Sequence, residues 1–118
     1  MYLLEVETSF EAAHRLPNYN GPCRRLHGHT YIVHAMWAVD KLDKQGMAID
    51  LVVLKQLLHD AVVGYDHQSL NVVMAGNPTA ENLARSIFQR LQKRTYGDNL
   101  VQVSVDETRG TRVTYRGD

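Results

Sequence analysis

Cys23-Arg24-Arg25-Leu26-His27-Gly28-His29-Thr30-Tyr31-Ile32-Val33-His34-Ala35-Met36-Trp37-Ala38-Val39 is the stretch on which the fold turns. From His27 onward His27, His29, Tyr31, Val33, Ala35, Trp37 and Val39 are in phase, the pattern of a half-buried strand. Strand side chains repeat every two residues, so both imidazoles project from the side of the apolar residues. Two histidines at i and i+2 on one strand face can chelate one metal. Cys23, four residues upstream, is either a third ligand or a nucleophile or base activated by the metal's charge. Alone, a His-x-His is more often a surface pair than a metal site. The rest of the chain has to supply a third donor and a pocket.

Upstream, residues 2–14 alternate as well. Leu4, Val6, Thr8, Phe10, Ala12 and His14 share one face, and Glu5, Glu7 and Glu11 take the other, which predicts a first strand. His14 then sits on the apolar face at the strand's C-terminal end. Arg15 to Pro22 reads as loop, rich in Pro, Asn and Gly. Asp40 to Gly46 is a polar turn, and the two strands are expected to pair as antiparallel neighbours.

Downstream, Asp50 is a helix N-cap, with Leu51, Leu54, Leu58 and Ala61 or Val62 as the buried stripe and Gly64 as a C-terminal stop. Tyr65 to Pro78 has no clear period and reads as a long loop, a length that is often functional in a small domain. A second helix starts at Thr79, with Glu81 favoured in its first turn by the helix dipole, and buries Leu83, Ala84, Ile87, Phe88 and Leu91. Gly97-Asp98-Asn99 is a turn. Val101, Val103, Val105 and Glu107 alternate with polar residues as strand three, and Arg109-Gly110 turns into a short strand four, Thr111 to Arg116. The order ββααββ predicts an α+β domain, a four-stranded antiparallel sheet with two helices on one face.

Two features interrupt the pattern. Glu107 falls on the phase of three valines, where a carboxylate is costly unless paired. Either the strand end lets it reach water, or it has a partner, and no Lys or Arg is placed to be an obvious one. Asp66-His67 opens the long loop as two adjacent titratable residues. Such pairs are usually no more than solvated polar residues.

At 118 residues the chain is expected to form one domain, 1–118, with a single core. Thirteen basic and thirteen acidic residues cancel, which removes any general electrostatic argument for nucleic acid or an anionic membrane. No apolar run approaches the roughly 20 residues of a membrane span. The N-terminal residues lack the basic and long apolar regions of a signal peptide. One cysteine makes no intrachain disulfide. Together these point to the reducing cytoplasm.

The chain resembles the 6-pyruvoyltetrahydropterin synthase family. The resemblance rests on Phe10-Glu11-Ala12-Ala13-His14, Cys23-x-x-x-His27-Gly28-His29, Asp66-His67 followed by Leu70-Asn71, Asn77-Pro78-Thr79-Ala80-Glu81, and Glu107-Thr108. These segments keep the family's order and span nearly the whole chain. Tyr115-Arg116-Gly117 is similar to the branch that makes 6-carboxy-5,6,7,8-tetrahydropterin for queuosine biosynthesis.

The resemblance implies the tunnelling fold, in which ββααββ subunits join their sheets into a barrel as trimers and two trimers stack into a hexamer. It implies Zn2+ held by His14, His27 and His29, Cys23 as the catalytic thiol, and Asp66 and His67 as proton-transfer partners from a neighbouring subunit. It also implies Glu107 as the pterin anchor and Thr79 in the pterin pocket. Three imidazoles leave a fourth zinc position open, the catalytic arrangement. The implied substrate is 7,8-dihydroneopterin triphosphate, with release of triphosphate and acetaldehyde. Arg15, Arg24 and Arg25 flank the metal motif, either to attract the triphosphate or as ordinary surface residues. Three other readings stay open: the sister pyruvoyl product, a catalytically silent pterin-binding module, and a purely structural zinc with Cys23 as fourth ligand.

Overall fold

Alternation over residues 2–14 and 27–39 builds two long strands, β1 (Tyr2–His14) and β2 (His27–Val39). They pair antiparallel in one unbroken register from Tyr2 opposite Val39 to His14 opposite His27. The structure, a computed structural model, describes residues 1–117. The remaining elements are α1 (Leu51–Val62), β3 (Gln68–Ser69), α2 (Leu70–Val73), α3 (Ala80–Gln92), β4 (Leu100–Asp106) and β5 (Val113–Tyr115).

The sheet has five strands in the order β3-β1-β2-β4-β5. All neighbours are antiparallel except β3, which runs parallel to β1 and pairs Gln68 with Ala12 and Ser69 with Ala13. The α+β class and the helix-covered sheet stand as expected. The four-stranded count is corrected by β3, which forms inside the stretch read as loop. There the chain adds two rungs to β1 and then turns into α2.

α1 packs against β1, and α3 against β4 and β5. Between helices and sheet lie Phe10, Tyr31, Val33, Trp37, Leu54, Leu58, Leu83, Ile87, Val103 and Val105, all buried. Asp50 caps α1 by accepting from the Val52 N–H at 2.9 Å. Two expectations for this helix fail. Leu51 is 51% exposed, because the first turn overhangs an apolar groove formed with Tyr2, Leu3 and Leu4. Gly64 does not stop the helix in a left-handed conformation. It sits in a 3-10 turn, Val63–Tyr65, that tightens the chain and delivers Tyr65 to the core. There the Tyr65 hydroxyl meets Ser86 Oγ at 2.6 Å, and the Arg90 guanidinium lies 4.3 Å from its ring centroid. Among the described residues no helix is long and apolar enough to cross a membrane.

Candidate metal centre and its surroundings

The β1–β2 register fixes the site. His14 ends β1 directly opposite His27, the first residue of β2, and His29 lies opposite Ala12. All three imidazoles leave the sheet on the core side, at the end where β4 stops. Their rings meet edge to face, with centroids 4.6 Å apart for His14 and His27, 4.7 Å for His27 and His29, and 5.1 Å for His14 and His29. Glu107 follows the last residue of β4 and keeps the phase of Val103 and Val105. Its Oε1 lies 3.3 Å from His29 Nε2 and 3.8 Å from His14 Nε2. One donor atom from each of His14, His27, His29 and Glu107 falls within 4.8 Å of the others. The carboxylate therefore keeps only part of its contact with water and has protein neighbours. Its neighbours are two imidazoles rather than a Lys or Arg.

The tautomers follow from the backbone. His14 Nδ1 is 2.7 Å from the Pro78 carbonyl, and His27 Nδ1 is 2.7 Å from the Arg25 carbonyl. A carbonyl only accepts, so both Nδ1 atoms carry protons and donate. In the neutral rings both Nε2 atoms then present lone pairs, and these face each other at 3.0 Å. Two acceptors at that distance repel unless a proton or a cation lies between them. His29 Nε2 is buried with no hydrogen-bond partner. Burial, offset in part by Glu107, holds the His29 ring below its ordinary pKa and so favours the neutral, ligating form. Three neutral imidazole nitrogens and one carboxylate oxygen, with two rings oriented through their other nitrogens, are a donor set fit for a transition-metal ion such as zinc. The Tyr31 hydroxyl, 3.1 Å from His14 Nδ1, is fully buried, and burial and Glu107 raise its pKa.

Cys23 lies in a 3-10 turn, Pro22–Arg24, and is not among the four clustered donors. His14, rather than the thiol, is the third nitrogen-or-sulfur donor. Arg15, Arg24 and Arg25 are exposed. Asp66 and His67 lie beside β1 instead. Asp66 Oδ1 accepts from the Glu11 N–H at 3.0 Å, and the His67 N–H donates to the Glu11 carbonyl. The Glu11 hydrogen bond, with help from His67, holds the Asp66 carboxyl below its usual range. His67 adopts a left-handed backbone, φ 57°, and its Nδ1 is 3.0 Å from Asp66 Oδ1. Its side chain is 78% exposed. His67 and His29 line one open cleft of about 500 Å³, with Glu11, Gly28 and Thr30. Thr79 is the N-cap of α3, its Oγ1 accepting from the Asn82 N–H at 3.1 Å.

Sequence reasoning missed the carbonyls of Pro78 and Arg25, and Tyr31. Only Tyr31 carried a signal, being in phase with His27 and His29.

Comparisons with known proteins bear on the family and the fold. A family model described as 6-pyruvoyl tetrahydropterin synthase matches residues 3–118. A 6-carboxy-5,6,7,8-tetrahydropterin synthase of Synechocystis sp. is 40% identical over 99 residues, covering 79% of this chain and 77% of its own. One from Bacillus subtilis is 36% identical over 127 residues, covering 96% and 84%. The solved structure of Caenorhabditis elegans 6-pyruvoyl tetrahydropterin synthase superposes with a TM-score of 0.90 at 27% identity, over 99% of this chain and 96% of that one. With its histidine cluster on that fold, the chain belongs to the 6-pyruvoyl tetrahydropterin synthase family.

Proposed function

We propose that this chain, read as one domain over 1–118, is a zinc-dependent 6-carboxy-5,6,7,8-tetrahydropterin synthase. It converts 7,8-dihydroneopterin triphosphate to 6-carboxytetrahydropterin, releasing triphosphate and acetaldehyde, and serves queuosine-type biosynthesis in the cytoplasm. The observation that carries the reading is the pair of Nε2 lone pairs facing each other at 3.0 Å beside the orphaned His29 Nε2. Relatives named for this activity supply the reaction class.

His14, His27 and His29 would hold the zinc. When bound, it supplies a Lewis acid with an open position for substrate oxygens. Cys23 Sγ is assigned proton transfer at the substrate side chain. Asp66 orients His67 through Nδ1, which leaves Nε2 free to take or give a proton. Glu107 is assigned the pterin edge, where one carboxylate accepts two parallel N–H donors, and Thr79 lies in the pocket wall. His67 stands exposed in the single chain, which suits a site completed by a neighbouring subunit of a hexamer.

One observation favours a second reading. Glu107 lies among the imidazoles, so its carboxylate could be a fourth ligand that closes the metal sphere.

The test is direct. Zinc-loaded protein is incubated with dihydroneopterin triphosphate and the pterin product is weighed by mass spectrometry. A 6-carboxy product with acetaldehyde is expected. A 6-pyruvoyl product assigns the sister reaction. Pterin binding without turnover leaves a silent binding module.

A further inference from the structure

Asn71 makes two hydrogen bonds that the catalytic reading does not use. Its Oδ1 accepts from the Arg15 N–H at 2.8 Å, and its Nδ2 donates to the Arg15 carbonyl at 3.0 Å. A side-chain amide carries the same donor and acceptor as a peptide group. Here it acts as one more rung of strand. β3 pairs with β1 only at Ala12 and Ala13 and then turns into α2, so Arg15 has no backbone partner on that side. On the other side the β1–β2 ladder ends at His14 and His27. Asn71 thus takes over the ladder where both neighbours stop.

The residue after Arg15 carries the connection onward. The Leu16 N–H donates to the Cys23 carbonyl at 2.7 Å and closes the base of the 15–26 loop. The path from α2 to the thiol residue is therefore short: the Asn71 amide, the Arg15 peptide, then the Leu16–Cys23 hydrogen bond. The same segment that carries Asp66 and His67 is tied to β1 at Glu11, Ala12 and Ala13. Hydrogen bonds to the backbone of β1 and of Arg15 and Leu16 just after it thus hold the acid–base pair and the thiol loop to one stretch of chain.

We propose that Asn71 is a positioning residue that fixes the Cys23 loop against the histidine cluster. The inference rests on the reading of Cys23 as the reacting thiol for its effect on turnover, but not for its effect on the loop. Loss of a bidentate clamp frees the loop base while β1, β2 and the three histidines keep their own pairing.

The experiment compares Asn71→Ala and Asn71→Asp with the parent and with Val72→Ala, a control at an 81% exposed neighbour on α2. Asn71→Asp keeps the acceptor for the Arg15 N–H and turns the other contact into carboxylate facing carbonyl. It supplies the answer should Asn71→Ala not fold. Expected are an unchanged zinc content, Cys23 alkylation by iodoacetamide faster by at least about fivefold, and a kcat reduced at least about tenfold with KM changed far less; a tenfold change corresponds to about 1.4 kcal/mol, the net worth of one or two hydrogen bonds. Alkylation and kcat equal to the Val72→Ala control would overturn the proposal, as would loss of zinc in parallel with activity. Faster alkylation in the Asn71 variants, together with full activity of Cys23→Ala, would sustain the clamp and remove the catalytic reading of the thiol instead.

Discussion

Glu107 continues the buried phase of Val103 and Val105, and its side chain is still only 23% exposed. An ion held at such a place without compensation costs several kcal/mol. Neutral imidazoles offset only part of that. Glu107→Gln therefore should weaken pterin binding sharply, because an amide offers one acceptor and adds a donor that meets the pterin's own donors. Zinc content should hold, and thermal stability without ligand should hold or rise. Titration with a pterin analogue beside a zinc assay checks this: lost zinc with retained pterin affinity would make Glu107 a metal ligand. A second residue-scale prediction concerns Asp106, whose carboxylate takes two hydrogen bonds from Arg112 at 2.7 and 3.1 Å. The Arg112 hydrogen bond holds the Asp106 carboxyl below its usual range. A depressed folded pKa stabilises fully above the ordinary carboxylate value of about 3.9, and that stability is lost as pH falls through the folded value. Arg112→Ala should cost up to about 1 kcal/mol at pH 7, the scale of an exposed pair. Its deficit in melting temperature should shrink as melts are taken from pH 7 down to about pH 3. At this scale the phase of side chains along three strands was enough to read His14, His27, His29 and Glu107 onto the apolar faces. The Pro78 and Arg25 carbonyls were not legible, because every residue carries a carbonyl and only the fold decides where it points.

At the scale of elements, the turn before α3 ties helix formation to the histidine cluster. Thr79 caps the helix, Asn82 Nδ2 donates to the Asn77 carbonyl at 2.8 Å, and Pro78 between them offers its carbonyl to His14. Thr79→Ala removes the cap and should cost about 1 kcal/mol of stability. It should also weaken zinc retention against a chelator, since the Pro78 carbonyl loses its support. Thr79→Ser keeps a capping oxygen and should restore both. If serine restores stability but pterin affinity stays low, the Thr79 methyl belongs to the pocket wall. Long periodic elements were legible: β1, β2 and α3 carry enough turns or alternations to fix type and face. β3 was not, because two residues carry no period, and its existence depends on β1 offering a free edge. Gly64 was misread for a related reason. The pull of Tyr65 into the core, absent from local sequence, outweighs the preference of glycine for a left-handed stop.

The whole molecule is longer than a compact chain of its size. Its radius of gyration is 15.3 Å, against about 13.5 Å expected for a compact domain of this length, and its extents are 54 × 25 × 25 Å. The 13-residue strands β1 and β2 are each about 40 Å long at the usual rise per residue. The β1 edge is open, since β3 covers β1 only at Ala12 and Ala13, and β5 leaves the opposite edge of the sheet free. Near the start of β1 an apolar groove of about 420 Å³ runs between exposed Tyr2 and Leu3 and the segment from Leu42 to Leu51. Open edges and a bare apolar groove call for cover, and joining subunits edge to edge would supply it. His67, 78% exposed, would gain its surroundings in the same step. The consequence can be tested through activity. Cys23→Ala and His67→Ala subunits should each be nearly inactive alone. If thiol and imidazole in one site come from different chains, unfolding the two together at equal ratio and refolding makes about one site in four complete. Recovered activity should approach about a quarter of the parent value under random mixing, and mixtures made without unfolding should stay inactive. Sedimentation of the parent should show an oligomer and no active monomer. A mixture that recovers nothing while each variant assembles normally would place Cys23 and His67 in the same chain's site, and the shared cleft of His29 and His67 would then be complete within one subunit.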